Sequence, residues 1–289
     1  SGYKNASKKT DFRTWVFPAS ADPLLQNYQN SLTNKIQLQK IPIRSYSEIL
    51  KVKEGSDIYR PTLYDFLTHR AITFYKTNER NIQHPTYKFT VEDSKLLKNN
   101  EIFLQTSLPS KDSLSQELNA IYLYKDLTNF HFKDKDPTAL INISLERLNF
   151  IKNNVAFSDK DDLYLTTLKE LQEQYNSYAA STEITYKIAE LYNNKANTYQ
   201  PITNTNNQFK RKEALKLCED AIQKFPNTKG SEKCRVLIDQ IKQKKLQINV
   251  ESYIPIHTPS RLLISYQNIN HLNFKVFKVN SNQNKKFEN

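Results

Sequence analysis

Ile188-Ala189-Glu190-Leu191-Tyr192, then Ala214-Leu215-Lys216-Leu217-Cys218-Glu219-Asp220-Ala221 and Pro226, is the stretch whose reading decides the fold. Apolar and small residues recur at helical spacing on both sides of a polar insertion, which predicts two helices packed as a hairpin. Ala189, Ala214 and Ala221 are small enough to let the helix axes approach closely. The insertion, residues 193–208, is rich in Asn, Thr and Gln and contains Pro201, too polar to belong to either helix. After Lys245 the period changes from 3.6 to 2. Leu246, Ile248 and Val250 alternate, then Leu262, Ile264 and Tyr266, then Leu272, Phe274, Val276 and Val279, which predicts three strands with one apolar face each.

Ile188, Ala189 and Tyr192, with Ala214, Cys218, Ala221 and Pro226, resemble the tetratricopeptide pattern of large, small and aromatic, then small, bulky, small and proline. Ile188, Ala189, Tyr192, Ala214, Ala221 and Pro226 are therefore the expected packing residues of a repeat. The two cysteines, Cys218 and Cys234, each stand eight positions from Pro226. Residues equidistant from the turn of an antiparallel hairpin face one another, so the pair is a candidate disulfide. If formed, it would contribute on the order of 3 kcal/mol by closing this loop and would place the chain in an oxidising compartment. The alternative is a pair of buried structural thiols.

Working outward to the N-terminus, Asp22-Pro23 reads as a helix start with Leu25, Tyr28, Leu32 and Ile36 on one face. Pro61 opens a second segment with Leu63, Phe66 or Leu67, Arg70 or Ala71, and Phe74 at helical spacing. Residues 84–91 alternate weakly, and Ser113 with Gln116 forms a capping-box signature before Leu114, Leu118 and Ile121. From Pro137, Ile141, Leu145, Leu148 and Ile151 make one stripe, and Tyr164, Leu168, Leu171, Tyr175 and Tyr178 the next, the latter capped by Ser158 and Asp161. Ile184, Ile188 and Leu191, residues 214–225, and Cys234, Ile238 and Ile241 mark three more helices. The expected architecture is mainly α: an array of helical hairpins over residues 1–245, then at 246–289 a short antiparallel β segment, the first strands of an incomplete β-sandwich.

Composition narrows the function. At 289 residues with 38% apolar content the chain can build a substantial core, and no apolar run is long enough to span a membrane. The net charge of +12 raises the question of nucleic acid, but most basic residues are Lys interleaved with Glu, Asp and Asn, as on a solvated surface. Three glycines, Gly2, Gly55 and Gly230, cannot write a phosphate-cradling loop or a Gly-x-Ser-x-Gly elbow. Five histidines, His69, His84, His131, His257 and His271, lack the spacing of zinc ligands. Asp159, Asp161 and Asp162 lack the glycine and terminal Glu of a calcium loop and read as helix N-terminal charge. No catalytic residue, metal ligand or cofactor site is expected.

Arg60-Pro61-Thr62-Leu63-Tyr64-Asp65-Phe66-Leu67, with His69-Arg70-Ala71, Leu145-x-Arg147-Leu148-x-Phe150, the cysteine hairpin and Tyr266-x-Asn268, resembles the N-terminal region of α-macroglobulin-like proteins of the Bacteroidetes type. The resemblance implies a helical region ahead of a string of macroglobulin β-domains, in an exported protein that traps or inhibits proteases. It implies a periplasmic or outer-membrane-associated setting. The implied partners are the downstream domains, proteases or a membrane-bound envelope protein, with membrane contact only through a lipid anchor outside this sequence. Some relatives carry a Cys-x-x-Gln thioester. Cys218 is followed by Glu219-Asp220-Ala221 and Cys234 by Arg235-Val236-Leu237, so neither fits. The chain has no Met, so Ser1 is not expected to be a translation start. Two alternatives stand beside this reading: a glycan-binding helical-repeat lipoprotein using exposed aromatics, and a tetratricopeptide-like peptide-binding adaptor.

Overall fold

In the computed structural model, the described residues are 25–51, 53–77, 88–155, 157–200, 202–251 and 257–275. They are mainly helical with one short antiparallel pair of strands. After a helical stretch at 25–31, eight helices of six residues or more have both ends among the described residues: α1 Leu63–Tyr75, α2 Asn100–Gln105, α3 Gln116–His131, α4 Thr138–Asn154, α5 Lys160–Gln174, α6 Ser181–Lys195, α7 Lys210–Lys224 and α8 Lys229–Lys242. The strands are β1 Lys245–Val250 and β2 Leu262–Gln267. Two compact units result, divided between Cys234 and Arg235 within α8. The period change at Leu246 coincides with the start of the ribbon.

Within the first unit, α3 packs between α1 and α4, and α6 packs between α5 and α7. α4 contacts α5 and α6, joining the two groups. The stripe Ile141, Leu145, Leu148 and Ile151 is buried as its spacing predicts, as are Tyr164, Leu168, Leu171, Ile184 and Ile188. Tyr178, at the end of the second stripe, is exposed because α5 has already stopped at Gln174.

Other expectations are corrected. α1 buries Tyr64, Asp65, Thr68, His69, Ala71, Ile72 and Tyr75, a face rotated by about one residue from the expected apolar one. Polar groups occupy its core side, so the apolar pattern misplaced it. The N-cap of α3 is Ser115, not Ser113; its hydroxyl accepts from Leu118 N at 3.1 Å, and Leu114 is exposed. α5 begins after Asp159 rather than behind a Ser158 cap, and Asp161 pairs with Lys152 at 2.8 Å. The expected first helical face is broken: helix spans 25–31, a turn follows, and Ile36 lies exposed in the short helix Lys35–Leu38. Asp22-Pro23 and most of 84–91 lie outside the described residues. The polar insertion starts later than expected, since α6 runs on to Lys195.

An irregular segment crosses the middle of this unit. Residues 94–97 form a 3-10 turn packed on α4 and α5, with Leu96 and Leu97 buried. Buried backbone carbonyls require donors. Arg147 of α4 supplies them, donating through Nη1 to Leu96 O at 2.5 Å and through Nη2 to Lys98 O at 2.9 Å, while Thr167 of α5 donates to Leu97 O at 2.7 Å. Ser144 donates to Asn100 Oδ1 at 2.9 Å.

Gly230, in the first turn of α8, lies hard against the start of α6. A Cβ there would stand 2.3 Å from the Thr182 carbonyl carbon, and backbone cannot swing aside as a flexible side chain can. Gly230→Ala is expected to lower unfolding stability by roughly 2 kcal/mol through overpacking, read as an earlier urea midpoint. An unchanged midpoint would mean that this approach is looser than described.

Candidate functional site

The sequence-derived candidates converge on the α6, α7 and α8 region. Ile188, Ala189, Tyr192, Ala214 and Ala221 are buried and lie on α6 and α7, which pack on each other. Ala189 and Ala214 have no exposed surface, the result expected of small residues where two helices come close. Pro226 is exposed in the turn between α7 and α8.

Cys218 of α7 and Cys234 of α8 are both buried and stand together as thiols. The hydrogen bond with Cys234, then burial, push the Cys218 thiol far above the usual cysteine range. A protonated, buried sulfur is a poor nucleophile, so the pair is unsuited to thiolate catalysis in this state.

The buried histidines are held by carboxylates. His131, 1% exposed at the end of α3, places Nε2 2.7 Å from Asp65 Oδ1 and Nδ1 2.6 Å from Asp134 Oδ2. A carboxylate only accepts, so an imidazole with a carboxylate on each nitrogen donates from both and is the charged form. Burial opposes that charge, but the hydrogen bonds and charges of Asp65 and Asp134 outweigh it and raise the His131 pKa. Asp65 serves two helices at once, since its Oδ2 accepts from Thr62 N at 2.9 Å and from the Thr62 hydroxyl at 2.7 Å in the capping box of α1. His69 Nδ1 lies 3.3 Å from Glu146, which also meets Arg60 at 3.4 Å. His131 is sealed from substrate, and these are cross-links between α1, α3 and α4. His257 and His271 are exposed, and His84 lies outside the described residues. Asp162 pairs with Lys195 at 3.1 Å. Among the described residues no group of three or more His, Cys, Asp or Glu side chains is arranged to hold a metal ion, and no helix is long and apolar enough to cross a membrane.

The strand pair carries the most conspicuous surface. β1 and β2 pair antiparallel in the register Leu246↔Tyr266, Ile248↔Ile264 and Val250↔Leu262, which aligns six apolar side chains on one face. The other face carries Lys245, Gln247, Asn249, Ser265 and Gln267, with Leu263 as its one apolar member. Val250 is 65% and Tyr266 63% exposed, and Leu246, Ile248 and Leu262 are exposed as well. At the end of β2, Asn268 adopts a positive φ of 56° and its amide donates to Ile241 O at 2.7 Å and Gln243 O at 3.0 Å, closing orphan carbonyls at the C-terminus of α8. The third predicted strand does not continue the ribbon: residues 271–275 are irregular, and Val276 and Val279 lie outside the described residues.

No family model, curated protein or solved structure matches this chain.

Proposed function

We propose that the chain is a non-catalytic helical scaffold belonging to the N-terminal part of an exported α-macroglobulin-like protein whose whole form traps or inhibits proteases. The single observation carrying this reading is the exposed apolar face of the β1–β2 ribbon, which no described residue covers. An isolated two-stranded ribbon is marginally stable in water, and an open row of large apolar side chains is a pairing hazard that proteins ordinarily cover. A following β-domain is the cover that the family resemblance supplies. Covering the face would contribute on the order of 5 kcal/mol. In this reading α6 and α7 form one tetratricopeptide-like repeat, supported by the buried small residues Ala189 and Ala214. The helices then hold the first β-domain in place and meet the envelope partner.

The experiment is sedimentation velocity on the chain as given. The uncovered face predicts concentration-dependent self-association, removed in the variant Ile248→Thr/Leu262→Thr/Tyr266→Thr with helical circular dichroism unchanged. A strictly monomeric wild-type chain up to about 0.5 mM would count against an uncovered face.

Export would also oxidise the adjoining cysteines. Unreduced protein from an oxidising compartment is expected to show a Cys218–Cys234 disulfide by mass spectrometry, and its reduction to cost about 3 kcal/mol of stability. Two alkylatable thiols in that material would remove the support that cysteine usage gives to export.

A further inference from the structure

We propose that the cleft between the 53–60 segment and the N-terminal ends of α6 and α8 is a binding site for an extended peptide, taking a Lys or Arg side chain at Glu183 and an acidic side chain in the adjoining cation-lined cavity. The cleft is a cavity of about 810 Å³, whose walls include Tyr59, Thr182, Glu183, Thr228, Lys229 and Glu232. Glu183 is 4% exposed: Oε2 accepts from Lys233 at 2.9 Å, while the buried Oε1 has no partner within hydrogen-bond geometry, the Tyr59 hydroxyl standing beside the same carboxylate. A buried carboxylate oxygen without a donor is costly, and a donor entering the cleft removes that cost.

A second cavity of about 510 Å³ shares the Lys53, Ser56, Tyr59 and Lys229 wall. Its lining adds Lys51, Arg60 and Arg70 to Lys53 and Lys229, against two carboxylates already engaged, Asp57 with Arg44 at 2.5 Å and Glu146 with Arg60 and His69. Lys51, Lys53 and Arg70 are in no ion pair among the described residues. Two adjoining cavities thus offer an acceptor without a donor on one side and surplus cations on the other. A single molecule that meets both carries a donor cation and an anion some way apart, which an extended peptide with one basic and one acidic residue does. Ser56 lines both cavities, where peptide groups would pass. A stacked sugar ring fits less well, because the Lys229 ammonium already lies over the Tyr59 ring at 4.4 Å.

The test is a two-dimensional amide titration of the isotopically labelled chain with the blocked peptide acetyl-Lys-Ala-Ala-Glu-amide. Saturable shifts are expected at Thr182, Glu183, Thr228 and Lys229. Replacing the peptide lysine by norleucine, or Glu183→Gln in the protein, is expected to weaken binding about tenfold or more, and Arg70→Ala several-fold. An amide spectrum of Glu183→Gln that is unchanged away from the cleft separates loss of the acceptor from local misfolding. Shifts that stay linear to about 10 mM, equal affinity for the norleucine peptide, or saturation by an oligosaccharide and not by the peptide would each overturn the proposal.

Discussion

Arg147→Ala is expected to cost roughly 3–5 kcal/mol of unfolding stability, the largest effect of any single substitution in the helical unit. Among the described residues Arg147 is the largest fully buried side chain, with no exposed surface. Its guanidinium lies 4.2 Å from the Phe103 ring centroid while donating to the carbonyls of Leu96 and Lys98. Burial lowers its pKa to about 9, so it is still charged at neutral pH, and that desolvation is tolerated for the donors it delivers. Truncation leaves both carbonyls without their donor and opens a cavity beside Phe103. Arg147→Met refills much of the volume but restores no donor, so it is expected to fall between wild type and alanine. Arg147→Lys is no conservative change, because an ammonium cannot reproduce the planar fork. Urea midpoints followed by circular dichroism decide this; a loss under about 1 kcal/mol for the alanine variant would mean that the 94–100 segment holds itself in place.

His131→Ala is the second, expected to cost about 3–5 kcal/mol because it strands the Asp65 carboxylate, which has no exposed surface, without its cationic partner. Asp65→Asn in the same chain is expected to recover part of the loss, since it removes the stranded charge while keeping an oxygen for the capping box. The same contacts fix a pH profile. His131 has its folded pKa raised above the ordinary 6.5, so its stabilisation is complete below that value and is lost as pH rises through the higher folded value. Glu146 runs the other way. Burial raises its pKa, but His69, Arg60 and Lys76 outweigh it and hold it below the ordinary 4.5, so its contribution is present above 4.5 and is lost as pH falls through the folded value. Thermal stability is therefore expected to be greatest between about 4.5 and 6.5 and to decline on both sides, with the alkaline decline flattened in His131→Ala. A wild-type optimum above pH 8 would contradict the His131 assignment.

These two residues also show where the sequence was readable. The α4 stripe is legible because Ile141, Leu145, Leu148 and Ile151 are apolar and periodic, and the ribbon because its alternation is nearly unbroken. The buried face of α1 was not legible. Asp65, Thr68 and His69 look like a surface until their partners on α3 and α4 are known, and those partners are 66 or more positions away for His131 and Glu146. Arg147 stood in a motif singled out by family resemblance, but nothing local says that it feeds carbonyls about 50 residues earlier. That Cys218 and Cys234 stand near each other was legible from symmetry about Pro226, although they are thiols in this structure. Glu183 was not, because a carboxylate in the first turn of a helix ordinarily reads as favourable charge at the dipole, and only the closing of α8 and the 53–60 segment over it makes it an acceptor in a cleft.

The scaffold assignment is tested most directly by the mass and peptide map of the native polypeptide from its source. Peptides that continue past Asn289 into a series of alternating, β-patterned domains are the predicted result, and a Cys-x-x-Gln among them would decide whether capture is covalent. A native C-terminus at or close to Asn289, with the β1–β2 face left open, would contradict it.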